Sequence, residues 1–241
     1  MTESVESILK TRKNIVFITG TELFEECGSS DPWSTDNFYR TAKKYNVGPE
    51  ALLSAGEYSS RKERFYNYYR EAILSNEVTP NETYKIIKEI DSEGRLEACI
   101  STGLYGLERM SGIKTYIEIS GNIHDNYCMK CHKKYSLEYV KNSVGVPVCK
   151  ECKKALRPNI RLLGEKVNNT IYTKAAEACN NADAVIVLGA SLYSTKVQYI
   201  TGHYKGQELI LFTKEAHYAD KFADSVIYGN ITNNLIRYYR K

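Results

Sequence analysis

The run Ala184-Val185-Ile186-Val187-Leu188-Gly189-Ala190-Ser191-Leu192 decides the architecture. Its apolar residues follow one another without a polar face, three of the first five are β-branched, and Gly189 closes the run. That pattern predicts a strand covered on both sides rather than an amphipathic helix. Working outward, Asn14-Ile15-Val16-Phe17-Ile18-Thr19 ending at Gly20, Leu209-Ile210-Leu211-Phe212 and Val226-Ile227-Tyr228 read the same way, and Leu96 to Ser101 and Thr115 to Ile119 are further strand candidates. Between them lie helical patterns. Arg61 to Ser75 places Phe65, Tyr68, Tyr69, Ala72 and Ile73 at helical spacing. Thr79-Pro80-Asn81-Glu82 reads as a helix start with Thr79 as cap and Pro80 in the first helical position, running to about Ser92 with Gly94 behind it. Asn168 to Asn180 carries Ile171, Ala175, Ala178 and Cys179, and Asn230 stands as cap to a terminal helix with Leu235 and Ile236.

Short apolar strands alternating with helices predict an α/β fold, a doubly wound parallel (Rossmann-like) sheet. Such sheets bind ligands beyond the carboxyl ends of their strands, which points to Gly20, Ser101 and Gly189. The alternation breaks in the middle of the chain, so the sheet is expected to carry inserts. The division read from the sequence is a large domain of 1–32, 83–119 and 165–241, with a helical insert at 33–82 and a cysteine-bearing insert at 120–164 forming a small second lobe.

Composition narrows the function. Of the 241 residues, 42% are hydrophobic and 26% charged, which argues against a disordered chain. No stretch approaches the ~18–20 apolar residues that span a bilayer, and residues 1–14 lack the apolar run of a signal peptide, so no membrane association and a cytoplasmic location are expected. A net charge of +4 is too small to argue for a nucleic-acid partner.

Four of the seven cysteines form two tight pairs, Cys128-Met129-Lys130-Cys131 and Cys149-Lys150-Glu151-Cys152, seventeen residues apart. Two residues between cysteines let both sulfurs of a turn face one ion, and two such turns complete a tetrahedral thiolate site of zinc-ribbon spacing. With all four positions filled by protein, the expected zinc is structural. Cys27, Cys99 and Cys179 are isolated and read as small core residues.

The order of these motifs resembles the sirtuin family over roughly residues 10–235. The resemblance rests on Thr19-Gly20 followed by Gly28 and Asp31, on Tyr116-Ile117-Glu118-Ile119-Ser120-Gly121-Asn122-Ile123, on Tyr127-Cys128 and the two cysteine pairs, on Arg157-Pro158-Asn159-Ile160 to Gly164-Glu165, and on Gly189-Ala190-Ser191-Leu192. It implies a dinucleotide fold with a zinc-ribbon insert, and use of NAD to remove acyl groups from lysine, to transfer ADP-ribose or to be hydrolysed. It also implies that Gly20, Thr21, Asp31, Gly189 and Ser191 are the retained cofactor-binding positions.

The departures from the family pattern fall on the chemistry. Glu22 stands where the first loop has its second glycine, and a carboxylate near a phosphate repels it by roughly 4 kcal/mol at ~4 Å and an effective dielectric of 20. Pro32 and Trp33 replace the family's phenylalanine and arginine. Ser101-Thr102-Gly103-Leu104-Tyr105 replaces its amide- and aspartate-bearing nicotinamide motif, and Thr213 replaces the asparagine at the adenine ribose. Ser120 occupies the place of the catalytic histidine and has no usable basicity near neutral pH. His124 reads as a bystander. Glu108 and Tyr105 read as solvated loop residues, and His132, His203 and His217 as surface. The sequence alone therefore ranks first a zinc-binding sirtuin-like protein without normal lysine deacylation, with weak binding of NAD or ADP-ribose, acting by binding a protein partner or nucleotide derivative. An altered NAD-using enzyme (hydrolase, ADP-ribosyltransferase or deacylase) ranks second.

Overall fold

The computed structural model describes residues 4–240. In chain order the elements are α1 (Val5–Thr11), β1 (Ile15–Thr19), α2 (Thr21–Glu26), α3 (Thr35–Tyr45), α4 (Pro49–Leu52), α5 (Ala55–Ser60), α6 (Lys62–Tyr69) running into a π-helical turn at Arg70–Leu74, and α7 (Glu82–Ser92). They continue with β2 (Leu96–Ser101), α8 (Leu107–Met110), β3 (Tyr116–Glu118), β4 (Gly121–Cys128), β5 (Lys134–Tyr135), α9 (Leu137–Asn142), β6 (Leu156–Ile160) and α10 (Asn169–Asn181). The last are β7 (Ala184–Leu188), α11 (Thr195–Thr201), β8 (Leu209–Thr213), a 3-10 turn at Tyr218–Phe222, β9 (Ser225–Tyr228) and α12 (Ile231–Arg240).

The chain forms two compact units. The larger is built from the chain up to Cys27, Val78–Ile119, and the chain from Asn168 onward. Its six strands run in the order β3-β2-β1-β7-β8-β9, every neighbouring pair parallel. The strand order reverses between β1 and β7, so the loops after those two strands diverge and leave a crevice at their carboxyl ends. Burial explains the unbroken apolar runs. Val16, Ile18, Val185, Val187 and Leu211 pack with Tyr172, Ala175, Ala178 and Cys179 of α10 and with Val197 and Ile200 of α11. On β8 the alternate residue Phe212 meets Tyr238 of α12 edge-on at 6.1 Å.

Helix ends follow their caps. The Asn168 side chain accepts from Ile171 N–H at 3.3 Å, and Asn230 from Asn233 N–H at 2.8 Å. The start of α7 corrects the sequence reading: Asn81, not Thr79, is the cap, accepting from Thr83 N–H at 3.1 Å, and Pro80 lies outside the helix. Both residues are good caps and the proline suits either register.

The smaller unit comprises Gly28–Glu77 and Ser120–Val167. A three-stranded antiparallel sheet, β5-β4-β6, carries the cysteines. The helical segment packs on it through tyrosines. Phe65, Tyr66 and Tyr69 are fully buried, and the Tyr66 and Tyr58 hydroxyls both donate to the Leu156 carbonyl, at 2.7 and 2.8 Å. A phenolic hydroxyl that reaches a backbone acceptor lets this core bury tyrosine without leaving its polar end unpaired. Among the described residues no helix is long and apolar enough to cross a membrane.

Candidate functional site

In the smaller unit the two cysteine turns are built alike. Cys128 N–H donates to the Lys133 carbonyl at 3.0 Å and His132 N–H to the Cys128 carbonyl at 2.9 Å. In the second turn Cys149 N–H donates to Lys154 at 2.7 Å and Lys153 N–H to Cys149 at 3.0 Å. His132 and Lys153 close their turns at φ of +58° and +56°. The four sulfurs converge, all within 4.8 Å of one another. Cys128 Sγ lies 3.2 Å from Cys152 Sγ, and Cys131 Sγ lies 3.6 and 3.7 Å from those of Cys149 and Cys152. A tetrahedron with sulfur ~2.3 Å from its centre has edges of about 3.8 Å, so the donor set fits a zinc ion. The Tyr135 hydroxyl donates to Cys149 Sγ at 3.1 Å, and with backbone N–H groups it favours the thiolate, bringing the Cys149 pKa down to about 6. Local spacing gave no sign of that supporting tyrosine. Lys130, Lys133, Lys134, Lys150, Lys153 and Lys154 are exposed around the centre.

Ser120 and Asp31 belong to this same unit. Ser120 is 3% exposed, and its carbonyl accepts from Arg161 N–H at 2.9 Å. Gly121 has φ +72°, and a Cβ there would lie 1.9 Å from the Asn159 carbonyl oxygen. The glycine is thus fixed by the approach of β6 to β4, and it fixes in turn where residue 120 sits. His124 is half-buried, with its N–H on Asn122 Oδ1 at 2.9 Å. Asp31 Oδ1 accepts from Trp33 N–H at 3.0 Å and shapes the turn into α3, while the Trp33 ring is exposed.

The larger unit gathers Gly20, Thr21, Gly189 and Ser191 at the carboxyl ends of β1 and β7. Gly20 N–H donates to the Leu188 carbonyl at 2.9 Å and Glu22 N–H to that of Gly189 at 3.1 Å. A Cβ at Gly20 would stand 2.4 Å from Ala190 Cα, so this glycine is required by the neighbouring strand's own loop. Gly189, at φ +65°, is equally closed in, since a Cβ there would stand 2.6 Å from Leu23 N. Thr21 and Ser191 are exposed, and Ser191 Oγ accepts from Tyr193 N–H at 3.2 Å.

The Glu22 carboxylate is held at the end of β8: its two oxygens lie 3.1 and 3.0 Å from Thr213 Oγ1, and Oε2 accepts from Lys214 N–H at 2.8 Å. Two sequence expectations change here. Glu108 is not a solvated loop residue but fully buried, with Oε1 accepting from Thr19 Oγ1 at 3.0 Å, and burial pushes its pKa up. Tyr105 is buried as well. The sequence held a hint of both, since Leu104, Tyr105 and Leu107 make an apolar setting around the acid.

Comparison with known proteins accounts for this arrangement of parts. Residues 23–196 match the model of the Sir2 family. An "NAD-dependent protein deacetylase" of Clostridium acetobutylicum is 32% identical over 228 residues, covering 94% of this chain and 93% of the relative. One of Clostridium tetani is 30% identical, covering 97% and 95%. Among solved structures, one described as "Sir2-p53 peptide-NAD+" superimposes with a TM-score of 0.78 at 26% identity, covering 96% of this chain and 93% of that one.

Proposed function

This chain belongs to the Sir2 family, and on that premise we propose that it is an NAD-using enzyme whose active site differs from the family's usual one. The observation that carries the reading is kinship along more than nine-tenths of the chain with proteins named NAD-dependent deacetylases. The sequence alone ranks a binding function above an enzymatic one, and that kinship reverses the order. The cradle at Gly20 and Gly189 supports it, because the two loops meet at the point where the strand order reverses.

The reaction that fits is cleavage of the bond between the nicotinamide nitrogen and its ribose, with an acyl-lysine oxygen or water as the acceptor. Nicotinamide departs from NAD as a neutral molecule, so the bond breaks without a proton being delivered to the leaving group. A general base serves to deprotonate a hydroxyl or water, and such a base is typically worth ~10²–10⁴ in rate. With Ser120 in that place the enzyme is slow rather than inert. The four cysteines hold one zinc as a structural ion, with no coordination position left for a substrate.

A second reading, a binding protein that retains the fold without turnover, is favoured by one observation: a buried serine without basicity stands at the base position. Incubation with NAD, with and without an acetylated peptide, separates the two. The enzymatic reading expects nicotinamide release proportional to protein. The binding reading expects none while NAD or ADP-ribose still gives calorimetric heat.

A further inference from the structure

Glu22 and Thr213 are 191 positions apart in the chain and both depart from the family's pattern. In the fold they are partners. The Thr213 hydroxyl lies 3.1 and 3.0 Å from the two carboxylate oxygens of Glu22, and the Lys214 N–H reaches Oε2 at 2.8 Å. Thr213 is buried at 7% exposure, whereas Glu22 is only half-buried. The ammonium of the adjoining Lys214 is engaged elsewhere, bonding Glu25 Oε2 at 2.9 Å.

Counting donors shows what is left over. Thr213 has a single hydroxyl proton to share between the two oxygens, and Lys214 contributes one N–H. Those two donors face about four lone-pair sites on an ionised carboxylate. Roughly half of the acceptor capacity of Glu22 therefore stays open on a group held from behind and accessible from the front. It sits in the first turn after β1, braced against the end of β8, beside the reversal of strand order where a ligand is expected. A ligand that completes this group must bring hydrogen-bond donors. Two adjacent hydroxyls of a ribose supply them as a matched pair. A phosphate at neutral pH supplies no proton at full charge and meets a like charge instead.

We propose that Glu22 is a specificity-determining residue that accepts hydrogen bonds from the vicinal hydroxyls of a nucleotide's ribose and excludes a nucleotide phosphorylated there. The inference rests on the reading that the chain binds NAD. Within it, the glutamate does not spoil the cradle: with Thr213 as its anchor it forms a different ribose contact.

The test is titration calorimetry of the full zinc-loaded chain with NAD and with NADP, which differs by a phosphate on the adenosine ribose. NAD is expected to bind at least about tenfold more tightly, the scale of a hydrogen-bonded pair to a charged group. Glu22→Gln should bring the two ligands within about threefold, by weakening NAD and relieving the repulsion of NADP. Thr213→Val, which leaves the carboxylate in place without its anchor, should weaken NAD by about three- to tenfold. Circular dichroism melts check that each variant is folded. Equal affinity of the unaltered chain for NAD and NADP overturns the inference. So does Glu22→Gly binding NAD as tightly or more tightly, which would make the glutamate an obstruction. Either of those results leaves NAD binding itself standing. Absence of heat with every nucleotide, in the unaltered chain and in all variants, overturns the NAD-using reading and this inference together.

Discussion

The cysteine centre and the loops at the carboxyl ends of the parallel strands encode their geometry in different ways. At the centre, each pair of ligands is separated by two residues, and each turn repeats the same two backbone hydrogen bonds with one left-handed residue. Within each turn, the backbone that places the two sulfurs is local. At the strand ends, the contacts that matter join residues far apart: Gly20 with Ala190, Glu22 with Thr213, and Thr19 with Glu108. A site of the first kind is either present or broken. A site of the second kind can exchange one partner pair for another and keep its outline, so a missing family residue there says less about function than it does at a metal centre.

The largest effect that tests this contrast is loss of the metal centre. Structural zinc contributes ~10–16 kcal/mol of apparent binding energy to small zinc modules. Cys128→Ser or Cys149→Ser, or chelation, should therefore abolish cooperative unfolding of the smaller unit, followed by calorimetric melting. Elemental analysis should find one zinc per chain. A protein without metal that melts as before would show that the four sulfurs are only neighbours.

Next in size is Gly121→Ala. The left-handed backbone alone costs ~1–2 kcal/mol for an L residue, and the added Cβ would stand 1.9 Å from the Asn159 carbonyl oxygen. A loss of at least about 2 kcal/mol in a urea titration is expected. An unchanged midpoint would mean that β4 and β6 part easily, and that residue 120 is not held where the glycine places it.

Tyr66→Phe is smaller still. It keeps the ring and removes a buried donor from the Leu156 carbonyl, which retains the Tyr58 hydroxyl. The expected cost is ~0.5–1.5 kcal/mol by the same titration.

The smallest effect is the one that depends on pH. Burial raises the Glu108 pKa above its unfolded value, so the folded state holds the proton more tightly. Stability from this group is intact below the unfolded carboxylate range and falls as pH rises from there toward the raised folded pKa. Glu108→Gln should flatten that fall, raising the melting temperature by a few degrees at neutral pH and not in acid. A variant destabilised at neutral pH and not in acid would assign Glu108 a charged role instead.

The same contrast governs what the sequence revealed. The strands at Ile15–Thr19, Ala184–Leu188 and Leu209–Thr213 are legible because burial on both faces leaves an unbroken apolar run. The cysteine ligands are legible because their spacing is their geometry. The cap of α7 slipped from Thr79 to Asn81 because local chemistry suits both. Arg61 to Ser75 reads as one helix, yet a π-helical turn begins at Arg70, where the spacing of apolar residues gives no local sign of the change. The burial of Glu108 and the pairing of Glu22 with Thr213 are invisible to any local window. Propensity marks a glutamate as solvated, and only the tertiary fold brings a hydroxyl to it.

Nicotinamide release from NAD by the purified zinc-loaded chain, with and without acetylated peptide, decides whether the protein uses NAD. The predicted result is slow release, proportional to protein and unchanged by Ser120→Ala, because the bond to a neutral leaving group breaks without a base at residue 120. No release above buffer under either condition would contradict NAD use. Release abolished by Ser120→Ala would instead show that the serine takes part in the chemistry.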